Sequence, residues 1–130
     1  MPGFQSESGM ANKRAREFLE KGCAAFEAGS IAMAAEYFSK AARLGSGEAQ
    51  VNLANIYSDG TGGVAKNCGL AVHWYRLAVK KGLPEAAYNL AIHYRKENEL
   101  TKYKKWILRA SEMGDLDAQN VVSKEAEDKK

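Results

Sequence analysis

No stretch of this sequence stays apolar for the ~20 residues that a membrane-spanning helix needs, so membrane insertion is not expected. Cysteine occurs only twice, as Cys23 and Cys68, at unrelated positions in different parts of the chain. Two reduced thiols are expected rather than a disulfide framework. Histidine is equally scarce: His73 and His93 stand far apart on separate helical stretches, and a surface or packing role is expected for both. Residues 1–10, MPGFQSESGM, hold neither a basic start nor an apolar run. No secretory leader is read there, and a cytoplasmic protein is expected. Charge of one sign is also lacking. The net charge is +3, from 19 basic and 16 acidic residues, and that excess is too small to point to nucleic acid.

Catalytic constellations are missing in the same way. The glycines of Gly60-Thr61-Gly62-Gly63 are not followed by Gly-Lys-Ser/Thr and no strand precedes them, which excludes a P-loop. Cys23 has no histidine near it in sequence, and no nucleophile, base and oxyanion donors can be assembled. No catalytic residue, metal or cofactor is expected.

What the chain does contain is repetition. Glu48–Tyr57, EAQVNLANIY, returns as Glu85–Tyr94, EAAYNLAIHY, 37 residues on. Ala71–Gly82, AVHWYRLAVKKG, is echoed by Met33–Gly45 and by Tyr103–Gly114. A period of roughly 30–40 residues marks a stacked array whose units are each too small to bury their own apolar face. Stripes at i, i+3, i+4 run through Phe18–Phe26, Met33–Ala41, Val51–Tyr57, Leu70–Ala78, Tyr88–Tyr94 and Tyr103–Ala110. Glycines at 29, 45, 82 and 114 punctuate them, Ser30, Asn67 and Asp115 stand as N-caps, and Pro84 suits a helix start. The pattern predicts a disordered lead over 1–10 and one domain over 11–127. Within that domain, units at about 11–45, 46–82 and 83–114 precede a capping helix at 115–127, giving seven helices and no strands. Ala34 and Ala41 lie where helices must approach closely.

EAQVNLA-IY, the Gly-rich loop with Gly-Gly-Val-Ala-Lys-Asn, HWYRLAVKKG and the second EAAYNLA-HY together resemble the Sel1-like repeat, one of the tetratricopeptide-like helix pairs. The resemblance covers about Ser46 to Asn120. The first unit is more similar to a plain tetratricopeptide repeat, through Gly22, Phe26, Gly29, Ile31, Ala34, Phe38 and Ala41. Ala65 stands where the family commonly has Pro, the central loop has one extra Gly, and the third unit lacks that loop. The resemblance implies an all-α, right-handed α-solenoid of three antiparallel helix pairs plus a C-terminal capping helix. Its concave surface would be lined by the first helix of each pair. It also implies a non-catalytic scaffold or adaptor for a peptide or protein segment, monomeric or weakly dimeric. An inhibitor or immunity-type protein gripping one toxin or enzyme is the alternative.

On that reading the groove takes Val51, Asn52, Asn55, Ser58, Tyr88, Asn89, Ile92 and Arg95 from the first helices, with Leu19, Cys23 and Phe26 continuing it. Asn52 and Asn89 recur at equivalent sites and serve either to bond a peptide backbone or to hold helices in register. A second, basic face is expected at Lys102, Lys104, Lys105 and Arg109, interleaved with Tyr103 and Trp106. A solvated face is its plainer reading, an acidic protein partner its leading functional one, and a nucleic-acid backbone or acidic lipid a further alternative.

Overall fold

In a computed structural model the chain is described from residue 7 to residue 129. The expected lead lies outside the described residues up to residue 6. From Glu7 onward the chain is already helical, so the first helix starts before Ala11. Seven helices and no strand occur among the described residues. They are α1 (Glu7–Glu27), α2 (Ile31–Arg43), α3 (Gly47–Asp59), α4 (Cys68–Lys80), α5 (Pro84–Lys96), α6 (Leu100–Met113) and α7 (Leu116–Asp128). The chain divides into two compact units, one up to Trp74 and one from Tyr75, with the boundary inside α4.

In the first unit α1 packs on α2 and α2 on α3. The core joins Ala25, Ala34, Phe38, Ala41, Ala42, Ala49, Leu53 and Ile56, with Phe18, Tyr57, Val64 and Trp74 packed against it. Small residues set the spacing: Ala34, Ala41 and Ala49 are wholly enclosed. Gly22 goes further, since a Cβ there would come within 2.5 Å of the Phe38 ring. Gly62 turns with φ +62° directly against the Ile31 side chain, where any larger residue would collide. The loop before α4 is pinned at its end, where the Asn67 amide donates to the Tyr57 carbonyl at 2.9 Å.

In the second unit α5 packs on α6 and α6 on α7. Ala87, Ala91, Ile107, Ala110 and Ala118 form the core, flanked by Val79, Tyr103, Trp106 and Val122. His93 is buried in this unit, its ring 6.3 Å from Tyr75 and 5.6 Å from Tyr94. That is the packing role; His73 is exposed, edge-on to Trp74 at 5.0 Å.

The same latch closes α2 to α3 and α6 to α7. Ser46 Oγ accepts the Ala49 amide at 3.1 Å, and Gln50 Nε2 donates to the Ala42 carbonyl at 3.2 Å. In the second unit Asp115 Oδ1 accepts the Ala118 amide at 2.8 Å, and Gln119 Nε2 donates to the Ser111 carbonyl at 3.1 Å. Each latch satisfies an orphan donor at a helix start and reaches back across the turn. Helix α5 starts differently, with Pro84 in its first turn and no side-chain cap. Asn67 caps α4 as expected, its Oδ1 accepting the Leu70 amide at 3.0 Å. Ser30 does not cap with its side chain; its carbonyl accepts the Ala34 amide instead.

Some stripe residues face outward against expectation. Met33 and Leu70 are exposed, while the exposure of Phe26 agrees with its expected place on a binding surface.

Candidate partner-binding cleft

Helix α3 is enclosed over most of its circumference. Ala49, Gln50, Val51, Leu53, Ala54, Ile56 and Ser58 are all buried. Apart from Gly47 and the partly buried Tyr57, what remains is a strip at spacings of four and three: Glu48, Asn52, Asn55 and Asp59. Val51 and Ser58, each 3% exposed, therefore cannot present side chains to a partner, and their assignment to a groove is corrected. A simple amphipathic stripe reveals one buried face, whereas α3 has neighbours on more than one side.

In the first unit four of the sequence-selected residues meet in one place. Cys23 and Phe26 from α1 and Asn52 and Asn55 from α3 line a cleft of ≈ 190 Å³, joined by Glu27 and by Phe38 at its base. Phe26 is half exposed and Phe38 almost wholly enclosed, so the cleft runs from an open aromatic lip to a buried aromatic floor. Leu19 is partly buried and belongs to the packing around the core rather than to the cleft lining. Burial pushes the Cys23 thiol above the ordinary thiol pKa, and the carboxylates of Glu48, Glu27 and Glu20 push it in the same direction. A neutral, weakly nucleophilic thiol suits a lining residue better than a catalytic one.

Glu27 and Phe38 were missed from sequence. Glu27 stands one turn beyond Cys23 on the same face, a signal that could have found it. Phe38 lies on the apolar stripe of α2, a position that by itself points only to the core.

In the second unit the sequence-selected residues of α5, Tyr88, Asn89, Ile92 and Arg95, are all partly buried or exposed; Asn89 and Ile92 stand at the positions of Asn52 and Asn55, and Tyr88 and Arg95 at those of Val51 and Ser58. Arg95 lies over the Tyr103 ring at 5.7 Å. The expected basic face is divided among different neighbours. Lys102 is drawn to Glu99 at 3.2 Å and over the Tyr94 ring at 5.3 Å. Lys105 and Arg76 flank the Trp106 indole at 5.9 and 5.8 Å, and Arg109 shares their depression with Leu108 and Glu112. Lys104 borders a different hollow, with Val122 and Glu125. Among the described residues no group of three or more His, Cys, Asp or Glu side chains is arranged to hold a metal ion. No described helix is long and apolar enough to cross a membrane.

An all-α chain of consecutively packed helices, with alanines at the contacts and caps that recur from one turn to another, is a helical repeat protein. The sequence model of the Sel1 repeat matches residues 29–46, 47–83 and 84–100, and the chain belongs to the Sel1 repeat family. Helix α1, helix α7 and all of α6 beyond Leu100 lie outside the matched segments. Among solved structures, a Sel1 repeat protein from Oxalobacter formigenes is similar, with 26% identity and a TM-score of 0.66, over 88% of this chain and 49% of the other. So is c5321, a protective antigen present in uropathogenic Escherichia coli strains that displays an SLR fold. It has 31% identity and a TM-score of 0.63, over 87% of this chain and 24% of the other. This chain thus spans about half the length of the first and a quarter of the second. Comparison with curated proteins gives no match. Sel1 repeats are generally protein–protein interaction modules.

Proposed function

We propose that this chain is a non-catalytic interaction module that holds a peptide or protein segment through the first helices of its repeats. The observation that carries the reading is the cleft in the first unit. It brings Cys23, Phe26, Asn52 and Asn55 together around an aromatic floor. Side-chain amides can donate to and accept from a peptide backbone in either direction, and an aromatic lip offers buried area at low entropic cost. At ≈ 190 Å³ the cleft falls below the ~300–1,000 Å³ typical of small-molecule sites, which favours a single inserted side chain over a metabolite. The strip of Tyr88, Asn89, Ile92 and Arg95 on α5 offers a second unit the same kind of surface.

The test is affinity capture from native lysate, comparing wild type with a folded Phe26→Ala/Asn52→Ala variant. A prey recovered by the wild type and lost by the variant supports the reading. Equal recovery by both proteins would move binding away from this cleft.

A further inference from the structure

The cleft of the first unit has one charged side chain in its lining, the carboxylate of Glu27. Glu20, Cys23 and Glu27 follow one another on α1 at spacings of three and four, and so share one face. Glu48 opens the strip of α3 that continues through Asn52 and Asn55. All three carboxylates are exposed, and none forms an ion pair among the described residues. Two cations of the same unit are engaged elsewhere: Lys40 lies over the Phe18 ring at 5.4 Å and the Tyr37 ring at 5.9 Å, and Lys21 lies over Tyr37 at 5.9 Å. An apolar slot between Phe26 and Phe38 thus has Glu27 in its lining, with Glu20 and Glu48 one turn before the lining residues Cys23 and Asn52.

Resting on the interaction-module reading above, we propose that this cleft takes a basic peptide segment, with one apolar side chain seated against Phe38 and flanking Lys or Arg side chains set against Glu20, Glu27 and Glu48. The seat supplies the buried area. The carboxylates select the charge of the segment and speed its arrival, while Asn52 meets its backbone. The attraction is between exposed charges, so it weakens as salt shortens the screening length.

Short random peptides displayed on phage provide the probe, with three baits: wild type, Asn52→Ala, and Glu20→Gln/Glu27→Gln/Glu48→Gln, each verified as helical by circular dichroism. The expected result is enrichment by wild type of peptides in which Lys or Arg flanks a single Leu, Met or Phe. Synthesised binders should lose roughly tenfold in affinity to the triple Gln variant at low ionic strength, the sum of three modest exposed pairs. They should lose affinity to Asn52→Ala as well. Enrichment of neutral or acidic peptides that depend on Asn52 but not on the carboxylates would overturn the charge assignment and leave the module standing. Failure to enrich any peptide, with lysate capture still dependent on Phe26 and Asn52, would overturn the short-segment occupant alone.

Discussion

Gly22 of α1 lies against the ring of Phe38 in α2 with no room for a methyl group between them: a Cβ at Gly22 would stand 2.5 Å from Cδ1 and 2.6 Å from Cε1. Phe38 is 2% exposed and is both part of the first unit's core and the floor of its cleft, so any shift of the ring disturbs both. Gly22→Ala should gain ~1 kcal/mol in helix propensity and lose roughly 1–3 kcal/mol to overpacking. The expected net is a loss of about 1 kcal/mol in urea denaturation. A more stable variant would mean that the helices can part without cost.

Gln50 carries a contrasting prediction. Its Nε2 donates to the Ala42 carbonyl, yet its Oε1 is buried with no partner among the described residues. The Ala42 carbonyl also accepts the Gly45 amide at 3.0 Å, so it stays satisfied without Gln50. Gln50→Met keeps an unbranched side chain and removes the orphaned acceptor, whose burial costs about 1–3 kcal/mol. A melting temperature equal to or above wild type is expected; a fall of several degrees would show that the bond to Ala42 outweighs the orphan.

Asp115 should matter more than its exposure suggests. Asp115→Ala removes the acceptor for the Ala118 amide and is expected to cost about 1 kcal/mol. Hydrogen exchange should quicken in the first turn of α7 before it quickens in α5. Asp115→Asn, which retains a capping oxygen, should lose much less.

Cys23 ties the cleft to pH. Its thiol is raised by burial first and by Glu48, Glu27 and Glu20 after it. In the unfolded chain the same thiol ionises at its ordinary, lower pKa. Between the two values the unfolded state binds fewer protons than the folded state, and stability falls as pH rises through that alkaline window. Cys23→Ser should flatten this alkaline decline in urea titrations across pH. Glu27→Gln should speed thiol modification at mildly alkaline pH, because more thiolate forms. An unchanged modification rate would place Glu27 too far from the sulfur to matter.

The helices were legible because the apolar stripes have a period near 3.6 and most end at a glycine of positive φ, as at Gly29, Gly45, Gly82 and Gly114, whereas α5 ends before Asn98 at φ +60°. Asn67 and Asp115 were readable as caps, since a short polar side chain before an apolar run has little else to do there. The site was only half legible. Asn52, Asn55, Cys23 and Phe26 do converge in one cleft, but Val51 and Ser58 are buried because α3 has neighbours on several sides, which periodicity along one helix does not encode. The basic run on α6 looked like one surface in sequence. In space Lys102 is claimed by Tyr94 and Glu99 and Lys105 by Trp106, while Lys104 and Arg109 border different hollows.

Within each unit the helices that pack together are sequence neighbours: α1 with α2 and α2 with α3, then α5 with α6 and α6 with α7. Little chain has to be closed into a loop before any of these contacts forms, so the kinetic barrier is set by short-range search. Each latch lies across a single turn, and Gln50 finds Ala42 only eight residues behind it. Helix pairs of this kind can assemble in the order in which the chain is synthesised, each new helix docking on the one just made. Folding should accordingly be fast and its intermediates short-lived, leaving little time for a half-made repeat to expose its apolar face to another chain.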